Sequence, residues 1–176
     1  MLNFRLLLLL ILAFTLTGCG FHLRGYEPLP AQLKILYLQT NAPYDDFTKQ
    51  IKTMLSSAKV TLVEHSVAAP LTLQILTEGS SSQLTGTSAS GQTNTYSLAY
   101  SVTYQILNRQ GAVIQAPQIV TVTRSYSVTS NQVLGDTNVQ NNLIIQMQRD
   151  AIYQIMNRLR SPETLRELSA KLNTIS

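Results

Sequence analysis

Residues 96–107, YSLAYSVTYQIL, contain the clearest structural pattern in the chain. Large apolar or aromatic side chains occupy every even position from Tyr96 to Ile106, and small or polar residues occupy the odd positions between them. Because successive side chains of a β-strand point to opposite faces, this period of two predicts a strand with one buried side and one polar side.

The segments on both sides of this strand predict a hairpin. Residues 108–111, NRQG, are typical of a turn, and Gly111 suits a positive φ. A second long strand follows at about 112–129, with a break or bulge near Pro117 and with Arg124 among its apolar residues. Residues 79–95 are almost entirely Gly, Ser, Thr, Gln and Asn, which predicts a loop or a weak hairpin arm.

The N-terminal part of the domain predicts a β-α-β unit. Residues 33–39 form a candidate buried strand, and residues 45–57 show apolar residues at helical spacing after two acidic residues. Residues 60–64 are a short strand or a lead-in, and 71–78 a further strand. The first β-α-β segment can therefore form a crossover with parallel strands.

Two helices complete the chain. Leu143, Met147, Ala151 and Ile155 recur at steps of four within a helix of about 137–160, and a short helix follows Pro162. The order β-α-β-β-β-α predicts an α+β fold with two helices packed on one face of a mixed four-stranded sheet, plus the short C-terminal helix. We expect a single domain over residues 33–176.

Composition excludes several classes of function. The net charge of +4 contains no basic run, so we expect no nucleic-acid partner. The single cysteine rules out an intrachain disulfide and a cysteine-based zinc site. The two histidines, His22 and His65, are isolated, and neither a phosphate-binding glycine loop nor a nucleophile elbow is present. The sequence therefore predicts a protein that is not an enzyme and holds no cofactor or metal.

The N-terminus is typical of a lipoprotein precursor. Residues 1–18 place Arg5 before an apolar run too short to span a bilayer, which predicts a signal peptide that is removed. Residues 16–19, LTGC, are similar to a bacterial lipobox, in which Cys19 carries diacylglycerol. Residues 19–32 then form a lipidated tether, and Gly20 is consistent with delivery to the outer membrane.

Charge is nearly absent from the middle of the chain. Between residues 79 and 135 only Arg109 and Arg124 are charged. A long hairpin in water is usually protected by charges, whereas a surface enclosed by another protein avoids charges that would need partners. We therefore expect an interface on the polar side of the 96–107 strand, with Ser97, Ser101 and Thr103 as candidate contacts. An ordinary Ser/Thr-rich hairpin in solvent is the alternative.

The segment that begins at the lipobox cysteine resembles a known family of lipoproteins. Residues 19–25, CGFHLRG, resemble the start of the mature LPS-assembly lipoprotein family, LptE. Three further matches are GQT at 91–93, RSY at 124–126 and RDA at 149–151. The resemblance implies an outer-membrane lipoprotein that sits as a plug inside the LptD β-barrel, helps it assemble and helps deliver lipopolysaccharide to the outer leaflet. It also implies direct contact with lipopolysaccharide.

Lipopolysaccharide is anionic, so its phosphates would be bound by basic side chains. The candidates are Arg109, Arg124 and Arg149, for which salt bridging or simple solvation remains the alternative. A second hypothesis is a free periplasm-facing binding module, or an accessory subunit of an envelope transporter. That hypothesis predicts a solvent-open apolar pocket between the sheet and the helices.

Overall fold

The computed structural model describes residues 29–129 and 133–175. The predicted signal peptide, Cys19 and most of the predicted tether lie outside these residues. The described part consists of five strands and three α-helices, with short 3-10 turns at Ala31–Leu33 and Ser66–Ala68. In chain order the elements are β1 Ile35–Gln39, α1 Asp46–Ser57, β2 Thr61–Val63, β3 Leu71–Thr87, β4 Thr93–Asn108, β5 Val113–Thr129, α2 Val133–Leu159 and α3 Pro162–Ile175.

The sheet has five strands in the order β2-β1-β3-β4-β5, so the predicted number of four is wrong. The additional strand is β2, an edge strand of three residues that pairs in parallel with β1. So short a strand has no periodicity that could separate it from a connecting segment. The predicted mixed character is confirmed, because β1 is parallel to β3 while β3, β4 and β5 are antiparallel.

Of the two predictions for 79–95, a loop or a weak hairpin arm, the structure supports the hairpin arm. β3 continues to Thr87, which pairs with Asn94, and only residues 88–92 connect β3 to β4. The composition of 79–87 is poor in apolar residues, so no alternation indicates a strand there. Neither side of this part of the strand is packed in the core. Its backbone hydrogen bonds to β4 are sufficient to hold it in the sheet.

The hairpin of β4 and β5 is confirmed. Gly111 has a φ of 83°, and the Asn108 side chain accepts hydrogen bonds from the backbone N–H groups of Gln110 and Ala112 at 3.0 and 2.8 Å. The register shifts opposite residues 115–118 of β5, next to Pro117. The bulge lies where the sequence predicts it. Proline has no backbone N–H to donate to the neighbouring strand, so it favours an irregularity at this point.

The three helices were predicted, but they differ from prediction in their extent and in how many of them pack on the sheet. Asp45 caps α1 by accepting from the Thr48 N–H at 2.7 Å, and Asp46 pairs with Lys49 at 3.2 Å, which confirms the predicted helix start. α2 begins at residue 133 rather than 137. α3 has 14 residues and contributes Leu168 to the core, so three helices rather than two pack on the sheet.

All three helices lie on one face of the sheet. The even residues of β4 from Leu98 to Ile106 are buried against Phe47 of α1 and against Met147 and Ile155 of α2. The odd residues of β4 are only half-buried. We call the side of β3–β5 that carries these odd residues the open face, and the other side the helix-bearing face.

Candidate interaction surface

The open face has no ionisable side chain. The five strands contain only two charged residues, Glu78 and Arg124. Glu78 pairs with Val102 and Arg124 pairs with Leu98, and both of these β4 partners are buried under the helices. Cross-strand partners share a face, so both charges belong to the helix-bearing face. The scarcity of charge in the sequence is thus concentrated on one side of the sheet.

The structure brings the three predicted contact residues onto this surface. Ser97, Ser101 and Thr103 all lie on the open face of β4, which has a neighbouring strand on each side. The Ser101 hydroxyl lies 3.0 Å from the hydroxyl of Thr121 on β5, within hydrogen-bond distance. Such hydroxyls rotate to donate or to accept, so the surface can form new hydrogen bonds without burying a charge.

Sequence reasoning named no contact residue on β3. Gly79, Ser81 and Gln83 pair with open-face residues of β4, and they lie in the segment predicted as a loop or a weak hairpin arm. Thr121, Thr123 and Ser125 supply the matching row on β5. Ile119 opposes Thr103 and is 60% exposed, so one end of the surface is apolar.

The three candidate arginines are not brought together. Arg109 lies in the turn between β4 and β5, where its Nε donates to the Ala69 carbonyl at 3.4 Å. Arg124 pairs with Leu98, ten residues along β4 from Asn108. At the rise of a strand this places Arg109 and Arg124 about 30 Å apart. The candidates therefore do not form one anion-binding cluster.

Arg124 already has an anionic partner. Its Nη2 lies 2.6 Å from Oδ2 of Asp150 on α2, and both side chains are about half-exposed. A pair of this exposure contributes little to stability, but it neutralises the arginine. This outcome matches the salt-bridge alternative for Arg124.

Arg149 lines a groove. The groove lies between α1 and α2, has a volume of about 470 Å³, and is also lined by Lys49, Met54 and Tyr153. A hydrogen bond of 3.0 Å between Gln50 and Gln148 links the two helices beside it. A groove with apolar side chains and two cationic ones suits an anionic amphiphile.

An unpredicted polar cluster joins α1 to the sheet. The Tyr100 hydroxyl donates to Glu78, and Glu78 shares a hydrogen bond with Asp45. Burial raises the pKa of Glu78 to about 7, and the bond to Asp45 acts in the same direction against the opposing effect of Tyr100. Burial also acts to raise the pKa of Asp45, but hydrogen bonds from Glu78 and Thr48 outweigh it and lower that pKa.

This cluster predicts a pH-dependent stability. Between its ordinary pKa of 4.5 and about 7, Glu78 binds more protons in the folded than in the unfolded chain, so the free energy of unfolding falls as pH rises. We expect Glu78→Gln to gain about 1 kcal/mol over the native chain at pH 8, after allowance for solvent screening, and almost nothing at pH 4. Urea unfolding at both pH values measures this. Glu64→Gln, at an exposed position, is the control, and an equal gain at both pH values would contradict the assignment.

The described residues contain neither a metal-binding cluster nor a helix that could cross a membrane. Within 29–129 and 133–175, no group of three or more His, Cys, Asp or Glu side chains could hold a metal ion. In the same part of the chain, no helix is both long enough and apolar enough to cross a membrane.

Solved structures with this arrangement define the class of the protein, an α+β domain shared by bacterial lipoproteins. A minor lipoprotein from Acinetobacter baumannii is 28% identical, has a TM-score of 0.64 and aligns over 76% of this chain and 93% of its own. The rare lipoprotein B from Shewanella oneidensis has a TM-score of 0.66 over 76% of this chain and 98% of its own. At 19% identity this second likeness shows the fold alone.

Family membership follows from the sequence match. The family described as "LptE: Lipopolysaccharide-assembly" matches residues 33–159, so the chain belongs to the LptE family. The LPS-assembly lipoprotein LptE of Pectobacterium atrosepticum is 28% identical over 169 residues, which cover 95% of this chain and 91% of the relative. The family is thus one of lipoproteins of lipopolysaccharide assembly rather than of enzymes.

Proposed function

We propose that this chain is the lipoprotein plug of an outer-membrane lipopolysaccharide translocon. In this proposal Cys19 carries the lipid anchor on the periplasmic side of the outer membrane. The folded domain occupies the lumen of the LptD β-barrel, helps the barrel to assemble and helps to deliver lipopolysaccharide to the outer leaflet. Membership of the LptE family supports a role in lipopolysaccharide assembly. The uncharged open face is the observation that supports a position inside the barrel.

The open face is suited to enclosure by a barrel because burying it has a low desolvation cost. Moving an unpaired charge out of water costs several kcal/mol, whereas a hydroxyl needs only a hydrogen-bonding partner. The interior wall of an outer-membrane barrel is polar and supplies such partners. Rows of Ser, Thr and Gln along β3, β4 and β5 thus match a polar wall without requiring matched charges.

Arg149 is the best-supported of the three arginines for contact with lipopolysaccharide. Arg124 is paired with Asp150. Arg109 lies in the β4–β5 turn, about 30 Å from Arg124, where it donates to a backbone carbonyl. Arg149 lines the groove between α1 and α2, where Met54 offers apolar surface for acyl chains and Lys49, although paired with Asp46, adds a second cation. We propose that lipid phosphate contacts Arg149 while part of the acyl region lies along the groove.

The alternative of a free binding module receives less support. It requires an apolar pocket between the sheet and the helices, but core side chains such as Leu98, Met147 and Ile155 fill that space. The groove described above lies between two helices instead. It is compatible with a lipid contact in either hypothesis and does not favour a free module.

The test of the plug proposal is site-specific photocrosslinking in intact outer membranes. A photoreactive residue at Ser101 should crosslink to an outer-membrane barrel protein, because Ser101 lies at the centre of the open face. The same residue at Gln110, in the exposed β4–β5 turn, is the matched position away from that face. Absence of any protein adduct at Ser101, with the lipoprotein folded and anchored, would contradict the proposal.

A further inference from the structure

A polar pocket lies between β5, the end of α2 and the first turns of α3. Its volume is about 320 Å³, at the lower end of the range for small-ligand sites. Tyr104 and Gln115 line its interior, and Arg158, Glu163 and Glu167 are charged side chains among its walls. None of these residues belongs to the open face or to the groove of Arg149, so the pocket is separate from both.

Two buried polar groups in this pocket are not fully hydrogen-bonded. Tyr104 is fully buried; Arg158 is the hydrogen-bonding neighbour of its hydroxyl oxygen, and the hydroxyl proton has no acceptor. Gln115 is 5% exposed; its Nε2 donates to the Thr164 hydroxyl at 3.0 Å, but its Oε1 accepts no hydrogen bond. A buried polar atom without a partner is destabilising, so native proteins rarely retain one. The Tyr104 proton would gain from an acceptor and Gln115 Oε1 from a donor, and a ligand with hydroxyl groups supplies both.

The charges around the pocket limit the class of that ligand. Arg158 donates from Nη1 to the Ile119 carbonyl at 2.8 Å, and it forms no ion pair within 4 Å with Glu163 or Glu167 in the described structure. An anionic ligand would meet the two carboxylates, and a cationic one would meet the guanidinium. A neutral ligand avoids both repulsions.

Hydroxyl groups match this mixed lining. Each hydroxyl can donate to Gln115 Oε1 or a carboxylate and can accept from Arg158 or from Tyr104. Burial raises the pKa of Tyr104, with Arg158 opposing only in part, so the phenol keeps its proton and remains a donor at neutral pH. A ligand with several hydroxyls on a small rigid ring would satisfy these groups at low entropic cost.

We propose that this pocket is a binding site for a neutral polyhydroxylated ring, a single sugar residue. The sugar is either free or the exposed end of a glycolipid. This site is independent of the plug proposal, because it uses neither the open face nor the lipid anchor.

The test is an NMR titration of the full chain in detergent with methyl α-glucoside, methyl α-galactoside and methyl α-mannoside as probes. We expect at least one of them to shift the side-chain amide of Gln115 and the backbone amide of Thr164 in a saturable manner at millimolar concentrations. Inorganic phosphate and ethanolamine are the charged controls, and saturable binding of either at these two residues without a sugar response would overturn the proposal.

Two variants test whether the sugar binds in this pocket. Tyr104→Phe removes one hydroxyl and should weaken sugar binding about three- to tenfold, whereas Tyr96→Phe on the same strand should leave it unchanged. Gln118→Ala, at the pocket wall, gives a second measurement if Tyr104→Phe fails to fold, and should also weaken binding. Equal binding by the native chain and both pocket variants would overturn the proposal.

The source of the sugar is distinguished by a matched pair of ligands. Methyl β-glucoside and octyl β-glucoside carry the same ring, and the octyl form is used below the concentration at which it forms micelles. Comparable affinities indicate a free sugar or glycan end, and markedly tighter binding of the octyl form indicates a glycolipid headgroup. Both interpretations require a change in the NMR signal of the Gln115 side-chain amide. If neither ligand changes that signal, the proposed sugar site is wrong.

Discussion

Ser101→Lys will reduce recovery of an outer-membrane barrel protein with the tagged lipoprotein by at least tenfold, while the variant itself remains folded and membrane-bound. Ser101 lies on the central strand of the open face, 3.0 Å from the Thr121 hydroxyl and opposite Gly79 on β3. A lysine there places a charge on a face that otherwise has none. If that face packs inside a barrel, the ammonium group loses water without a matched carboxylate, at a cost of several kcal/mol.

The folded chain alone should tolerate this change. No other element covers the open face in the described structure, and its β4 side chains are only half-buried. Substitutions at such surface positions usually change the free energy of unfolding by less than about 0.5 kcal/mol. Ser97→Lys and Thr103→Lys should behave like Ser101→Lys, whereas Gln110→Lys in the turn should retain the partner. Equal recovery with all four variants would show that the open face is not the interface.

Arg149→Glu will weaken binding of purified lipopolysaccharide by about ten- to a hundredfold. Hydrogen bonds between an arginine and a phosphate contribute about 1.5–3 kcal/mol each, and the reversed charge adds repulsion. Lys49 lines the same groove but is already paired with Asp46 at 3.2 Å, so it compensates only in part. Quantitative binding to immobilised lipopolysaccharide at fixed salt concentration measures the effect.

Two control variants test whether this effect is local. Arg166→Glu reverses a charge at an exposed position of α3 outside the groove and should have little effect on binding. Arg109→Glu tests the turn candidate from the sequence. A loss with Arg109→Glu that equals or exceeds the loss with Arg149→Glu would move the lipid contact to the β4–β5 turn.

Much of the sheet could be predicted from local patterns. The strict alternation at 96–107 fixes both the strand and the face that is buried, because a shift of one residue would exchange the two faces. Asp45 at the start of α1 and Gly111 in the turn are equally local signals, and the structure bears out both. Patterns of this kind depend only on neighbouring residues and need no tertiary information.

The features that the sequence left open have a common physical cause. Residues 79–87 form a hairpin arm and not a loop because β4 offers a paired edge, and this is a tertiary effect that their composition does not reveal. The salt bridge from Arg124 to Asp150 and the cluster of Glu78 with Tyr100 likewise depend on contacts over 20 or more residues. Sequence spacing alone could not show which charges were already paired.

The most direct test of the central claim is to identify what remains bound to the lipoprotein in its own membrane. Outer membranes would be solubilised in mild detergent, and the lipoprotein recovered through a tag placed after Ser176. The plug proposal predicts a β-barrel protein of translocon size in near-equal amount. Recovery of the lipidated, folded lipoprotein without a barrel partner would contradict it and would favour a free binding module.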